Sequence, residues 1–313
     1  MSFSEDVRRE LAHDKTDKKC CVNAEIACAL IASDGLSFRG PGQYGLSVYA
    51  DTLDAARRYT VMFQKFFRIP CGLRQARSSR LGGKTRYQVL LPDKDVPGIL
   101  RQLRLLDSEQ LFGLAVKVSG RLIERNCCRV AFLRGAYLAG GSMDNPQRAY
   151  HMEISTASEP IARQILQVME ELDLSPRMTV RKGRPVVYLK DSEQIVTLLA
   201  MLGANQAVLF MENVRIVKSL RNEANRAANC DSNNVDKAVE AAERQLSMIE
   251  TIDRKMGLDR LPPNLREIAM LRRQFPDANL TELGREASPP LGKSGVYARM
   301  RKLEALAEAL ANE

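Results

Sequence analysis

The sequence predicts an α+β protein, a pseudo-twofold domain with two antiparallel sheets followed by an all-α domain. Three observations predict it. One order of helices and strands occurs twice in the first two thirds of the chain, the helix that opens each copy is built of small residues, and strand signals stop after Asn213. The expected boundaries are 1–218 for the twinned domain, with repeats over about 20–110 and 125–205, then a helical linker over 219–257 and a terminal helical domain over 258–313.

The repeat is legible element by element. "AEIACALIASDGLSF", from Ala24, and "RVAFLRGAYLAGGSM", from Arg129, are small-residue helices ending in glycine. After the first come the strand "YGLSVYA", the amphipathic helix "TLDAARRYTVMFQKFF", a hairpin "GLRQARSSRLGGKTRYQVLL" around Gly82-Gly83, and the helix "PDKDVPGILRQLRLL". After the second come "AYHMEIST", "SEPIARQILQVMEELDL", the hairpin "RMTVRKGRPVVYLK" with its Lys182-Gly183 turn, and "DSEQIVTLLAMLG". Two helices approach backbone to backbone only where small side chains replace bulk. Ala27, Cys28, Ala29 and Ala32 in one copy, with Gly135, Ala136, Ala139 and Gly140 in the other, therefore predict a seam between two half-domains.

With these residues in view, the first two thirds of the chain resembles the LAGLIDADG homing endonuclease fold, aligning "ACALIASDG" and "LRGAYLAGG" with its nine-residue motif. The resemblance implies paired motif helices on a pseudo-twofold axis and a saddle of two sheets over DNA. Nucleases of this kind use an acidic residue before the final glycine of each motif to hold divalent ions at the scissile phosphates. Here the first copy has Asp34 at that place and the second has Gly140, while Asp144 falls beyond the helix end. The expectation is a non-enzyme without cofactor or metal, the alternative a metal-dependent endonuclease.

Composition points to an anionic partner. There are 47 basic and 38 acidic residues, a formal net charge of +9, and between Arg39 and Leu91 ten cations face only Asp51 and Asp54. Arg77, Arg80 and Arg86 in this segment are candidate DNA contacts. The seven cysteines include the doublets Cys20-Cys21 and Cys127-Cys128 but no C-x-x-C pair, so reduced thiols are expected rather than a disulfide framework or a zinc site. With only His13 and His151, histidine chemistry is poorly supplied. No apolar run approaches the length of a membrane span, and the charged amino terminus is unlike a secretory signal, so the expected location is cytoplasmic and nucleoid-associated.

After Asn213 the pattern becomes helical. Val235, Val239, Ala242, Leu246 and Ile249 recur at helical spacing, with Asp231 or Ser232 as the expected cap. Past "LPPN" come helical segments over Leu265 to Phe275, over Leu280 to Ala287 behind a capping-box spacing of Asn279 and Glu282, and from Ser294 onward, which reads as a helix-turn-helix. In the last helix Val296, Met300, Leu303 and Ala307 form the apolar stripe, with Ser294, Ala298, Arg301 and Lys302 opposite and Tyr297 and Arg299 at the flanks. Lys293, Ser294, Tyr297, Arg301 and Lys302 are the candidate contacts to double-stranded DNA, Arg301 to a base and the lysines to phosphate. An ordinary three-helix bundle is the competing reading. "GKS" at Gly292 to Ser294 lacks the preceding glycine and strand of a phosphate-binding loop, so no NTPase is indicated.

A degenerate LAGLIDADG pair joined to a helix-turn-helix looks like the WhiA family of bacterial regulators. The match is carried by both motif helices, by "RGAYLAGGSMDNP" with "YHMEI", by "RNEANRAANCDSNN" and by "LGKSGVYARMRKLEALAE". It implies a sequence-specific transcription factor linked to cell division, chromosome segregation or sporulation, without nuclease activity. RNA polymerase or a co-regulator is the alternative partner, reached through a protein-interaction module.

Overall fold

The computed structural model describes residues 2–40, 43–77, 85–107 and 113–311. The chain divides into two compact units, Met1–Val217 and Lys218–Glu313. In the first, α1 (Phe3–His13) precedes two copies of one unit. The first copy comprises α2 (Lys19–Ala32), β1 (Leu36–Gly40), β2 (Gln43–Ala50), α3 (Leu53–Met62), β3 (Gly72–Arg77), β4 (Thr85–Leu90) and α4 (Val96–Gln102). The second comprises α5 (Asn126–Gly140), β5 (Gly141–Met143), β6 (Met152–Ser155), α6 (Glu159–Glu170), β7 (Arg177–Arg181), β8 (Arg184–Leu189) and α7 (Ser192–Leu202). Both sheets are antiparallel, and their strand orders, β1-β2-β4-β3 and β5-β6-β8-β7, are the same order one copy apart.

Why the copies pair through α2 and α5 follows from their side chains. Both helices are buried along nearly their whole length, so neither has a polar face to offer water. They pack side by side, and a Cβ added at Gly135 would lie 2.3 Å from the Glu25 carbonyl oxygen, so only glycine permits this approach. The turn of the second hairpin places Lys182 and Gly183 both at positive φ, as a two-residue β-turn between twisted strands requires. The corresponding Gly82-Gly83 turn lies outside the described residues.

A buried charge network fastens the seam. Glu25 of α2 has no exposed surface and accepts from Arg58 of α3 at 2.6 Å (Nε) and 2.8 Å (Nη2). Arg134 of α5 comes within 3.7 Å of the same carboxylate, pairs with Asp14 at 2.9 Å and donates to the Leu202 carbonyl at the end of α7. Thr16 Oγ1 accepts from both guanidinium groups, at 2.7 and 3.0 Å. Burial is the largest single influence and disfavours the Arg58 charge, but the bond to Glu25 together with the charges of Glu25 and Asp14 outweighs it and holds the pKa above the ordinary arginine value.

One long helix, α8 (Asn205–Met256), contributes to both units. Its first turn is capped by Glu10 of α1, whose carboxylate accepts from the Gln206 and Ala207 amides at 2.6 and 3.1 Å. The expected start at Asp231 or Ser232 is corrected, because the backbone runs helically through both. Asn, Asp and Ser cost only a few tenths of a kcal/mol each inside a helix, about what an already nucleated helix tolerates per residue. The second unit then adds α9 (Pro263–Gln274), α10 (Leu280–Arg285) and α11 (Lys293–Ala311) around a core that includes Ile249, Ile252, Ile268, Leu283, Val296 and Leu303.

Candidate nucleic-acid interface

The three terminal helices hold their geometry through polar groups at their ends. Asn279 and Glu282 form the reciprocal capping box of α10, with Asn279 Oδ1 accepting from Thr281 N and Glu282 N and Glu282 accepting from Asn279 N at 2.8 Å. Arg272 is almost fully buried and donates to the Pro276 and Ala278 carbonyls at 3.1 and 2.6 Å and to Gln245 at 3.0 Å, which ties the α9–α10 turn to α8. Burial lowers its pKa from the usual arginine value. Glu267 of α9 accepts from the Ser288 amide at 2.7 Å and from Arg299 of α11 at 3.1 Å, which fixes the α10–α11 turn to both neighbours. Leu291 N donates to the Gly284 carbonyl at 2.7 Å and closes that turn.

On α11, Val296, Met300, Leu303 and Ala307 are the buried residues. Lys293, Ser294, Tyr297, Ala298, Arg301 and Lys302 are exposed. Arg301 is 66 % exposed and pairs with Glu304 at 3.2 Å, a contact on one helix face that an anion can displace at little cost. Arg299, by contrast, is held against Glu267 and Asn264 and is part of the scaffold. The structure therefore brings five of the eight candidate residues onto one helix.

The basic segment is less available than its charge suggests. Arg58 is the buried partner of Glu25, Arg39 pairs with Asp93, and Lys65 pairs with Asp17. Arg86 has an 11 % exposed side chain, pairs with Asp51 at 2.8 Å and donates to the Ala139 carbonyl at 3.0 Å. Arg77 stands opposite Thr85 at the end of the β3–β4 ladder, and Arg80 lies outside the described residues. Counting charges along the chain could not reveal these pairings, because three of the acceptors, Asp17, Glu25 and Asp93, lie outside the segment.

The carboxyl ends of the two motif helices differ. Asp34 is exposed, at φ 60°, and Gly35 follows it with a Cβ position 2.1 Å from the Ser47 carbonyl oxygen. In the other copy Gly140 makes the matching contact, 2.1 Å from the Ser155 carbonyl oxygen, so by backbone approach it corresponds to Gly35 and Ala139 stands in the place of Asp34. The motif alignment thus shifts by one residue. Around this end Arg8 donates from Nε to Gly141 O at 3.1 Å and from Nη2 as well, and it pairs with Asp51 at 3.5 Å alongside Arg86. Two guanidinium groups at a helix carboxyl terminus are favoured by the helix dipole, and they oppose a metal cation there.

Sequence spacing also missed a sulfur cluster. Cys20, Cys21, Cys127 and Cys128 lie together, all four Sγ atoms within 4.8 Å of one another. The available signal was positional, since each doublet occupies the second and third residues of its motif helix.

Among the described residues no helix is long and apolar enough to cross a membrane. Family models match in three consecutive segments: the WhiA N-terminal LAGLIDADG-like domain over residues 19–106, the WhiA LAGLIDADG-like domain over 129–221, and the WhiA C-terminal HTH domain over 224–307. The chain is 42 % identical over 317 residues to the probable cell division protein WhiA of Heliobacterium modesticaldum, covering 100 % of this chain and 98 % of that one. It is 40 % identical to the protein of the same name from Desulfitobacterium hafniense, over 99 % of this chain and 96 % of that one. Its fold is similar to the crystal structure of full-length DUF199/WhiA from Thermatoga maritima, with TM-score 0.61, 21 % identity and 99 % of each chain covered. Two LAGLIDADG-like halves followed by a helix-turn-helix are what these matches share with the residues described above, and the chain belongs to the WhiA family.

Proposed function

We propose that this protein is a sequence-specific DNA-binding regulator of transcription that binds duplexes without cutting them. The observation that carries the reading is the exposed face of α11, where slim residues at the start (Ser294, Ala298) give way to Arg301 and Lys302 over a buried apolar stripe. A helix of this kind enters the major groove by its amino-terminal end and reads base edges beyond it. The name of its relatives, probable cell division protein, ties the regulated process to cell division. Mapping occupied genomic sites with the unaltered chain and with Arg301→Ala tests the assignment. Loss or scatter of the occupied sites is expected, and an unchanged map would remove α11 from recognition.

The absence of cutting rests on the two motif ends. One carries Asp34, and the other carries Ala139 and Gly140 beneath Arg8 and Arg86. Two-metal hydrolysis needs carboxylates on both sides of the scissile phosphates. Supercoiled plasmid incubated with the full chain and Mg²⁺ or Mn²⁺ should stay intact. Nicking that disappears in Asp34→Asn would contradict the proposal.

A further inference from the structure

The cysteine quartet lies at the opposite end of the paired helices from Asp34 and Gly140. In α2 the doublet is Cys20-Cys21, one residue inside the helix start at Lys19; in α5 it is Cys127-Cys128, one residue inside the start at Asn126. Each copy thus contributes two thiols from the same place at the start of its helix. Neither helix has a side-chain cap or an acidic residue in its first turn, and Lys18, Lys19 and Arg125 flank the sulfurs in sequence.

Distances select among the chemistries four thiols can support. Within each doublet the Sγ atoms are 4.0 Å apart, and all four lie within 4.8 Å of one another. A tetrahedral ion with metal–sulfur bonds of about 2.3 Å sets its ligand sulfurs about 3.8 Å apart. The doublets need to close by only about 0.2 Å and the widest pairs by no more than about 1 Å to meet that spacing, which is within reach of side-chain rotation. A multi-iron cluster, whose sulfides and irons occupy the centre, needs its cysteines farther apart than a single ion does. Cys21 and Cys128 are buried, while Cys20 and Cys127 reach solvent, which supplies a path for entry.

We propose that Cys20, Cys21, Cys127 and Cys128 form a mononuclear, all-thiolate metal site of the zinc class that clamps the two repeats at the amino end of their seam. Four protein ligands leave no open position, so the site is structural rather than hydrolytic. Four thiolates around a divalent ion carry a net charge of −2, which two converging helix amino termini and the flanking cations favour. On binding, each thiol releases its proton to solvent and no electron is transferred.

The test uses the full chain, stripped of metal by a chelator under reducing conditions and titrated with Co²⁺ alone. An intense thiolate-to-cobalt absorption that saturates at one equivalent and is abolished by Zn²⁺ is expected. Cys20→Ser combined with Cys127→Ser should lose that absorption, and Cys71→Ser, which alters a cysteine outside the quartet, should keep it. Failure of the unaltered chain to develop the band, or its persistence in the double variant, would overturn the proposal. Should the double variant not fold, thiol counting on the unaltered chain decides: Zn²⁺ must shield four thiols from a thiol reagent, and no shielding refutes the site. Reduced protein that takes up no metal but reoxidises to disulfides between the doublets would equally refute it.

Discussion

The two motif helices end in the same surroundings and are finished by different chemistry. At the end of α2, the Ala32 carbonyl accepts from the Ala157 amide of the other repeat at 3.0 Å, and Asp34 turns out to solvent. At the end of α5, the Ala139 carbonyl again accepts from the other repeat, but from the guanidinium of Arg86, and Arg8 covers Gly141 beside it. Both ends are therefore closed by the opposite copy, once with a neutral amide and once with the Arg86 cation, to which α1 adds Arg8. Backbone geometry has been kept where the helices and strands touch, at Gly35 and Gly140, while the charge has changed sign. A fold can hold its pseudo-symmetry through glycine contacts and still lose the symmetry of its chemistry.

Breaking what both ends share should cost most. Glu25→Gln leaves Arg58 buried without its carboxylate and Arg134 with Asp14 alone, and the first unit should lose about 3–5 kcal/mol in denaturant unfolding. A loss under about 1 kcal/mol would mean the seam is held by apolar packing alone. Next comes the attempt to restore symmetry. Ala139→Asp writes an acid at the position that matches Asp34, but Ala139 is buried, so a destabilisation of about 1–3 kcal/mol is expected, with no gain of cutting. Cleavage appearing in that variant would show that the second end had lost only a side chain. The smallest effect of the three belongs to Asp51→Asn, which weakens a pair that is one-third exposed at the carboxylate; about 1 kcal/mol is expected, measured the same way.

How far the sequence reached differs by physical cause. Periodicity found the α11 stripe, because Val296, Met300, Leu303 and Ala307 recur at helical spacing and burial follows spacing on one element. Small residues found the seam, since Gly135 and its neighbours have no other use in a buried helix. What failed were properties that depend on which distant residues meet. Along the chain Arg58 reads as surplus charge and Arg86 as an open DNA contact, yet the first is neutralised by the distant Glu25 and the second is held by Asp51 and the Ala139 carbonyl. The cysteine doublets carry no metal-ligand spacing along the chain, and their convergence arises only when the two copies pair.

The exposed face of α11 is the proposed duplex-binding surface. The most direct measurement is the salt dependence of duplex affinity for the full chain and for Arg301→Ala with Lys302→Ala. Each phosphate contact removed should flatten the slope of log affinity against log salt by about one. A flatter slope in the double variant, with its fold intact, is the predicted result; a slope and affinity equal to those of the unaltered chain would contradict the claim.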